Sequence, residues 1–139
     1  MAMTHRESSV VDRITDLPIF AGCSRRQLQA IARLALEIDV DAGKVLTKEG
    51  EPGREFLIIL AGSAVASHDG REVAIFGPGD CFGEIALLAS GVRTATVVAR
   101  SPMRVAVVAS HDFDRLLEAV PVLAQRVMQT MAHRLRQTD

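Results

Sequence analysis

Glycine is distributed very unevenly along this chain of 139 residues. Eight of the 10 glycines lie between positions 43 and 83: Gly43, Gly50, Gly53, Gly62, Gly70, Gly77, Gly79 and Gly83. Glycine adopts positive φ without steric cost, so it marks tight turns. Turns at such close spacing leave room only for short strands between them. The middle of the chain therefore predicts an antiparallel β-structure.

The segments between these glycines are rich in strand-forming residues. Residues 36–41 alternate apolar and acidic side chains, as a half-buried strand does. Further strands are predicted at residues 44–48, 54–60, 63–68, 71–76, 94–99 and 104–108. We expect the turn Gly77-Pro78-Gly79 to close a hairpin. The pattern is typical of an antiparallel roll or jelly roll.

Helical patterns flank this block. A short helix is predicted at residues 10–14, and Ser24 to Gln27 forms a capping-box pattern before a second, amphipathic helix. After the strands, Ser110 is expected to cap a third helix, and Pro121 suits the first turn of a fourth. The apolar stripe of the fourth helix is predicted to be Ala124, Val127, Met128, Met131 and Leu135, with both methionines facing the core.

The predicted fold is therefore α+β and mainly β, in a single domain spanning residues 1–139. N-terminal helices occupy about residues 9–35, the antiparallel β-roll residues 36–109, and two C-terminal helices residues 110–136.

Composition excludes several classes of function. The net charge of −1 gives no broad attraction to nucleic acid or to anionic membranes. No long apolar run or signal segment is evident, so we expect a soluble cytoplasmic protein. Cys23 and Cys81 form no CxxC pair, and the four histidines are scattered. Neither a metal site nor a nucleophile with an adjacent base is indicated, and an enzyme is not expected.

The richest chemistry lies between residues 82 and 96. Gly83 allows a ligand to approach the backbone closely, and the first turn of a helix starting at Glu84 would offer bare N–H groups to an anion. Arg93 supplies a planar cation that can hold two phosphate oxygens. Glu84 can accept a hydrogen bond from a sugar hydroxyl. Taken singly, Glu84 is an ordinary first-turn acid and Arg93 an ordinary solvated loop cation. Together they specify a ribose phosphate.

The pattern Phe82-Gly83-Glu84-Ile85-Ala86-Leu87-Leu88, four residues, then Arg93-Thr94-Ala95-Thr96 resembles the phosphate-binding cassette of cyclic nucleotide-binding domains. The likeness extends over nearly the whole chain. It implies an eight-stranded β-roll with helices packed on it.

The resemblance also implies roles for individual residues. Glu84 corresponds to the partner of the ribose 2′-hydroxyl and Arg93 to the partner of the cyclic phosphate. Six neighbours complete the implied ligand-binding set: Phe82, Gly83, Ile85, Ala86, Thr94 and Ala95. Thr94 leaves the choice between cAMP and cGMP open. The candidates for a lid over the base are Met131, Arg134 and Leu135.

The function implied is a regulatory module that binds cAMP or cGMP and transmits occupancy through its C-terminal helices. Its effector would be a protein in cis or in trans. Direct nucleic-acid binding is not expected, because only Gln137-Thr138-Asp139 follow the last helix and no recognition helix is available. The alternative is a β-roll interaction module whose pocket is vestigial or takes a different ligand.

Overall fold

The computed structural model describes residues 5–83 and 91–137, with the side chains of residues 10–83 and 91–133. Two helices lead, α1 (His5–Ile14) and α2 (Arg25–Leu34), with a 3₁₀ turn at Pro18–Phe20 between them. The strands in the described residues are β1 (Ala35–Val40), β2 (Val45–Thr47), β3 (Glu55–Ala61), β4 (Ala64–His68), β5 (Arg71–Phe76), β6 (Cys81–Phe82), β7 (Thr96–Ala99) and β8 (Met103–Ala109). Helices α3 (Ser110–Ala119) and α4 (Pro121–Gln137) follow.

The eight strands form two antiparallel sheets of four. One sheet has the order β1-β8-β3-β6 and the other the order β2-β7-β4-β5. Long-range pairing connects the beginning of the roll to its end, with Ala35 opposite Val108 and Val40 opposite Met103. The predicted α+β fold class, a mainly antiparallel β-roll between two sets of helices, is thereby confirmed.

Strand β3 shows how the roll is joined to the helices. Its central residues, from Phe56 to Leu60, are all buried, because the strand has apolar neighbours on both faces. Phe56 and Ile58 belong to the core shared with the helices, where Phe56 contacts the ring of Phe113 at a centroid distance of 5.0 Å. Leu57 and Ile59 point the other way and pack between the two sheets. The domain therefore has two cores separated by one sheet.

The sequence patterns locate the helices but not all of their details. The capping box is confirmed, since the Ser24 hydroxyl accepts from the Gln27 N–H and the Gln27 side chain accepts from the Ser24 N–H. The predicted cap at Ser110 is wrong: α3 begins at Ser110 itself, after Ala109, which makes no side-chain cap.

The predicted stripe of α4 is right at Val127, which is buried, and wrong at Met128. Met128, expected in the core, is 53% exposed, whereas Leu123 and Val127 are fully buried and Met131 is half-buried. Leu123 was not part of the predicted stripe, because several apolar positions of this helix share similar spacing. Packing against the other helices selects the face centred on Leu123 and Val127.

The turn at residues 77–79 connects the two sheets, so the prediction that it closes a hairpin is wrong. It passes from β5 in one sheet to β6 in the other, and the Gly79 N–H donates to the Ile59 carbonyl at 2.9 Å. The two-residue strand β6 was too short for a sequence pattern to predict. No helix in the described part of the chain is both long and apolar enough to cross a bilayer.

Candidate functional site

Gly83 follows β6 directly and holds a backbone conformation that only glycine adopts readily. Its φ is +99°, and a Cβ placed on it would lie 2.5 Å from the Glu55 carbonyl oxygen and 2.7 Å from Nη1 of Arg93. Both contacts are too close for any side chain. The turn therefore has room for the Arg93 guanidinium only because residue 83 is glycine.

Arg93 is a buried cation, with 7% of its surface exposed. Its Nη1 donates to the Glu55 carbonyl at 2.9 Å, at the start of β3. A guanidinium stays charged near neutral pH and offers five N–H donors in a planar fork. The site thus holds a permanent positive charge within the roll, directly beside Gly83.

The backbone around Arg93 is paired with the loop that follows β2. The Arg93 N–H donates to the Glu51 carbonyl at 2.7 Å, and the Arg93 carbonyl accepts from the Gly50 N–H at 2.9 Å. Pro52 and Val92 form a further isolated antiparallel bridge. The segment that carries the cation is consequently fixed by main-chain bonds.

Arg93 lines two cavities. One has a volume of about 300 Å³ and is bordered by β2, by the loop after it and by the start of β3. The other has a volume of about 340 Å³ and includes Glu49, His68 and Thr94. Both volumes are in the range of pockets that hold small molecules.

The other described residues of the predicted cassette have distinct surroundings. Phe82 is buried between the sheets, where its ring stacks on Phe76 with centroids 5.6 Å apart. Thr94 and Ala95 are half-buried, and the Ala95 carbonyl accepts from the buried Thr47 hydroxyl at 3.0 Å. Phe82 is thus part of the inner core of the roll, while Thr94 lines the larger cavity with Arg93.

Three predicted ligand contacts, Glu84, Ile85 and Ala86, lie outside the described residues. The candidate lid residues all belong to α4: Met131 is half-buried, and Arg134 and Leu135 lie in the part of the helix whose side chains are not described. Helix α4 is attached to the N-terminal region by Arg126, whose Nη1 donates to the Ile19 carbonyl at 2.7 Å.

Sequence reasoning missed three contributors to this site. Glu55 acts through its carbonyl, which leaves no signal in a sequence. Glu49 and His68 meet at 2.9 Å, and His68 Nδ1 also lies 3.0 Å from the Thr94 carbonyl, 26 residues further along the chain. Only the fold brings such distant positions together.

Glu49, His68 and Asp69 each offer one ligand atom within 4.8 Å of the others. Both carboxylate oxygens of Glu49 are already engaged, one with His68 Nδ1 and one with the Asp69 N–H. The group is therefore a hydrogen-bonded cluster.

The chain is similar to known proteins in sequence. It is 35% identical over 114 residues to a cAMP-dependent protein kinase regulatory subunit of Hypocrea atroviridis, covering 81% of this chain and 24% of that protein. It is also 35% identical over 124 residues to the acetyltransferase Pat of Mycolicibacterium smegmatis, covering 86% and 37% respectively. The chain thus spans a quarter to two-fifths of the length of these relatives.

The fold is also found in solved structures. A structure described as PKAR CBD2 with bound Sp-2Cl-cAMPS superposes with a TM-score of 0.83 at 27% identity, covering 96% of this chain and 91% of that one. The sequence profile of the cyclic nucleotide-binding domain matches residues 37–120, more than half of the chain. With the buried arginine, the glycine beside it and the two-sheet roll, these matches show that the chain belongs to the cyclic nucleotide-binding domain family.

Proposed function

We propose that this chain is a cyclic-nucleotide sensor module that binds cAMP or cGMP and transmits occupancy through α3 and α4. The cyclic phosphate is held by Arg93, and the ribose 2′-hydroxyl by Glu84. A domain of this family is itself non-catalytic, so its output is a change of conformation rather than a turnover.

The observation that carries the proposal is the burial of the Arg93 guanidinium beside Gly83. The Arg93 guanidinium keeps its charge near neutral pH and presents its N–H donors in one plane. The Glu55 carbonyl fixes one edge of the fork at 2.9 Å. A guanidinium oriented in this way matches an anion with two adjacent oxygens, which a cyclic phosphate provides.

Transmission through α4 is supported by its attachments. The helix packs Leu123 and Val127 into the core that it shares with α1, α2 and α3. Arg126 connects it to the Ile19 carbonyl. A ligand that contacts α4 better in one helix position than in another shifts the population toward that position. The proposed effector that responds to this movement is a protein, either in cis or in trans.

Calorimetric titration with cAMP and with cGMP, each added separately, tests the pocket and its choice of base together. At a ligand concentration one hundred times the Kd, binding to the folded state alone stabilises the domain by about 2.7 kcal/mol. We expect this stabilisation to raise the Tm of the unmodified chain, and we expect no such rise in Arg93→Ala.

The matched control is Arg100→Ala, which removes an exposed arginine at the turn between β7 and β8. It should keep the nucleotide-induced shift. If neither nucleotide at millimolar concentration shifts the unfolding of the unmodified chain, the sensor proposal is wrong, and the β-roll is an interaction module with a vestigial pocket or a different ligand.

A further inference from the structure

The tip of the β4–β5 hairpin is joined to the loop after β2 by one side-chain pair. His68, the last residue of β4, places Nδ1 2.9 Å from Oε2 of Glu49. The other oxygen of Glu49 accepts from the Asp69 N–H at 3.1 Å. The carboxylate therefore holds both the His68 ring and the backbone of the turn that follows it.

The same pair reaches the segment that carries Arg93. His68 Nδ1 lies 3.0 Å from the carbonyl oxygen of Thr94, the residue directly after Arg93. A carbonyl oxygen only accepts, so Nδ1 donates its one hydrogen to Thr94, and the Glu49 carboxylate lies beside the same nitrogen at ion-pair distance. The Glu49 N–H in turn donates to the Thr96 hydroxyl at 3.1 Å. Three segments that are distant in sequence meet at this point.

The consequence concerns the orientation of the cation. The Gly50 N–H and the Glu51 carbonyl bind the two main-chain groups of Arg93, so the loop beginning at Glu49 sets the backbone from which the guanidinium projects. Glu49, His68 and Arg93 also line the same cavity of about 340 Å³. A binding group must be held to within a fraction of an ångström to keep its affinity.

We infer that Glu49 and His68 are positioning residues, a clamp that keeps the Arg93 segment in the geometry required for binding an anionic ligand. The inference rests on the proposed function for its effect on affinity, whereas the ordering of the segment depends on the structure alone. Side-chain exposures of 29% for Glu49 and 34% for His68 make both residues accessible to substitution without opening the core.

The ordering is tested without ligand by amide hydrogen exchange at Gly50 and Arg93. His68→Phe keeps a planar ring but removes both nitrogens, and it should accelerate exchange at these two amides by about tenfold, the effect of losing one or two net hydrogen bonds. His68→Asn keeps a donor near the position of Nδ1 and should restore slow exchange. His111→Phe is the matched control, because His111 is a largely exposed histidine on α3 that also faces a carboxylate.

The effect on affinity is tested by titrating the same variants with cAMP and cGMP. We expect His68→Phe and Glu49→Ala each to weaken binding by about 3- to 10-fold. The loss in the double variant should be smaller than the sum of the two single losses in free energy, because both variants remove the contact between His68 and Glu49. His68→Asn and His111→Phe should stay within about twofold of the unmodified chain.

The outcomes separate this inference from the proposed function. If the unmodified chain binds neither nucleotide, the sensor proposal fails, and the exchange rates still decide whether the clamp orders the Arg93 segment. If exchange at Gly50 and Arg93 is the same in His68→Phe as in His111→Phe, the clamp does not exist, whatever the affinity. If exchange accelerates while nucleotide affinity is unchanged, the clamp orders the segment without positioning Arg93 for the ligand, and the inference is overturned.

Discussion

Substitution of Gly83 by alanine is the sharpest test of how the site is built. An alanine at φ +99° occupies a conformation that costs an L-residue about 1–2 kcal/mol. Its Cβ would also meet the Glu55 carbonyl oxygen and Nη1 of Arg93. The guanidinium can swing away from the added Cβ, but the Glu55 carbonyl is fixed by the pairing of β3 with β8, so its contact is relieved only by a shift of the backbone.

Displacement of the guanidinium breaks its hydrogen bond to Glu55, and a hydrogen bond to a charged group contributes about 1.5–3 kcal/mol. Gly43→Ala is the matched control, because Gly43 has a similar φ of +88° but nothing within 4 Å of the added Cβ. Both variants place an alanine at a similar positive φ, and contact of the added Cβ with the Glu55 carbonyl and with Arg93 occurs only in Gly83→Ala. We expect Gly83→Ala to be less stable than Gly43→Ala by about 2 kcal/mol.

Urea unfolding at 25 °C measures this difference directly, and calorimetry should show it as a lower Tm. With an unfolding entropy of about 2.1 cal/mol/K per residue, 2 kcal/mol corresponds to about 7 °C for a domain of this size. Equal losses in Gly83→Ala and Gly43→Ala would refute the reasoning, since they would mean that the space between Gly83, the Glu55 carbonyl and Arg93 accepts a Cβ without cost.

Three further predictions concern the frame around the site. Ser24→Ala should cost about 1 kcal/mol through loss of the capping box, seen as a lower urea midpoint at unchanged slope; an unchanged midpoint would mean that the cap contributes nothing. Leu123→Ala should cost about 2–5 kcal/mol, whereas Met128→Ala should stay within about 0.5 kcal/mol, and the reverse order in unfolding experiments would show that the other face of α4 is buried. The hydrogen bond from Arg104 lowers the pKa of Asp39. The contribution of this hydrogen bond to stability is therefore present above the usual carboxyl pKa and is lost as the pH falls through the lowered pKa. In an NMR titration, Arg104→Gln should raise the pKa of Asp39. An unchanged pKa would mean that Arg104 does not bind the Asp39 carboxylate.

Much of the architecture could be predicted because it depends on local chemistry. Positive φ at Gly43, Gly70 and Gly79 agrees with the turns inferred from the glycine spacing. The capping box at Ser24 required only residues within one helical turn. In α4, where several positions are equally apolar, periodicity correctly placed Val127 in the core but wrongly included Met128 and missed Leu123.

The candidate site could be predicted only in part for the same reason. Gly83 and Arg93 lie only ten positions apart in the chain, so a short sequence pattern contains them both. Phe82 also belongs to that pattern, but its ring stacks on Phe76 in the inner core, and that placement depends on how β5 and β6 are divided between the sheets.

Sequence alone was enough to predict a glycine-punctuated β-roll between helices, with distinctive residues that suit a ribose phosphate. It did not predict that Arg93 is buried against the Glu55 carbonyl, or that Glu49 and His68 meet beside Thr94; the three-dimensional fold establishes both. Turn glycines and caps act over a few residues, where sequence spacing is also spatial distance. The partners of a buried cation come from strands far apart in the chain, and only the closure of the two sheets brings them within hydrogen-bonding distance.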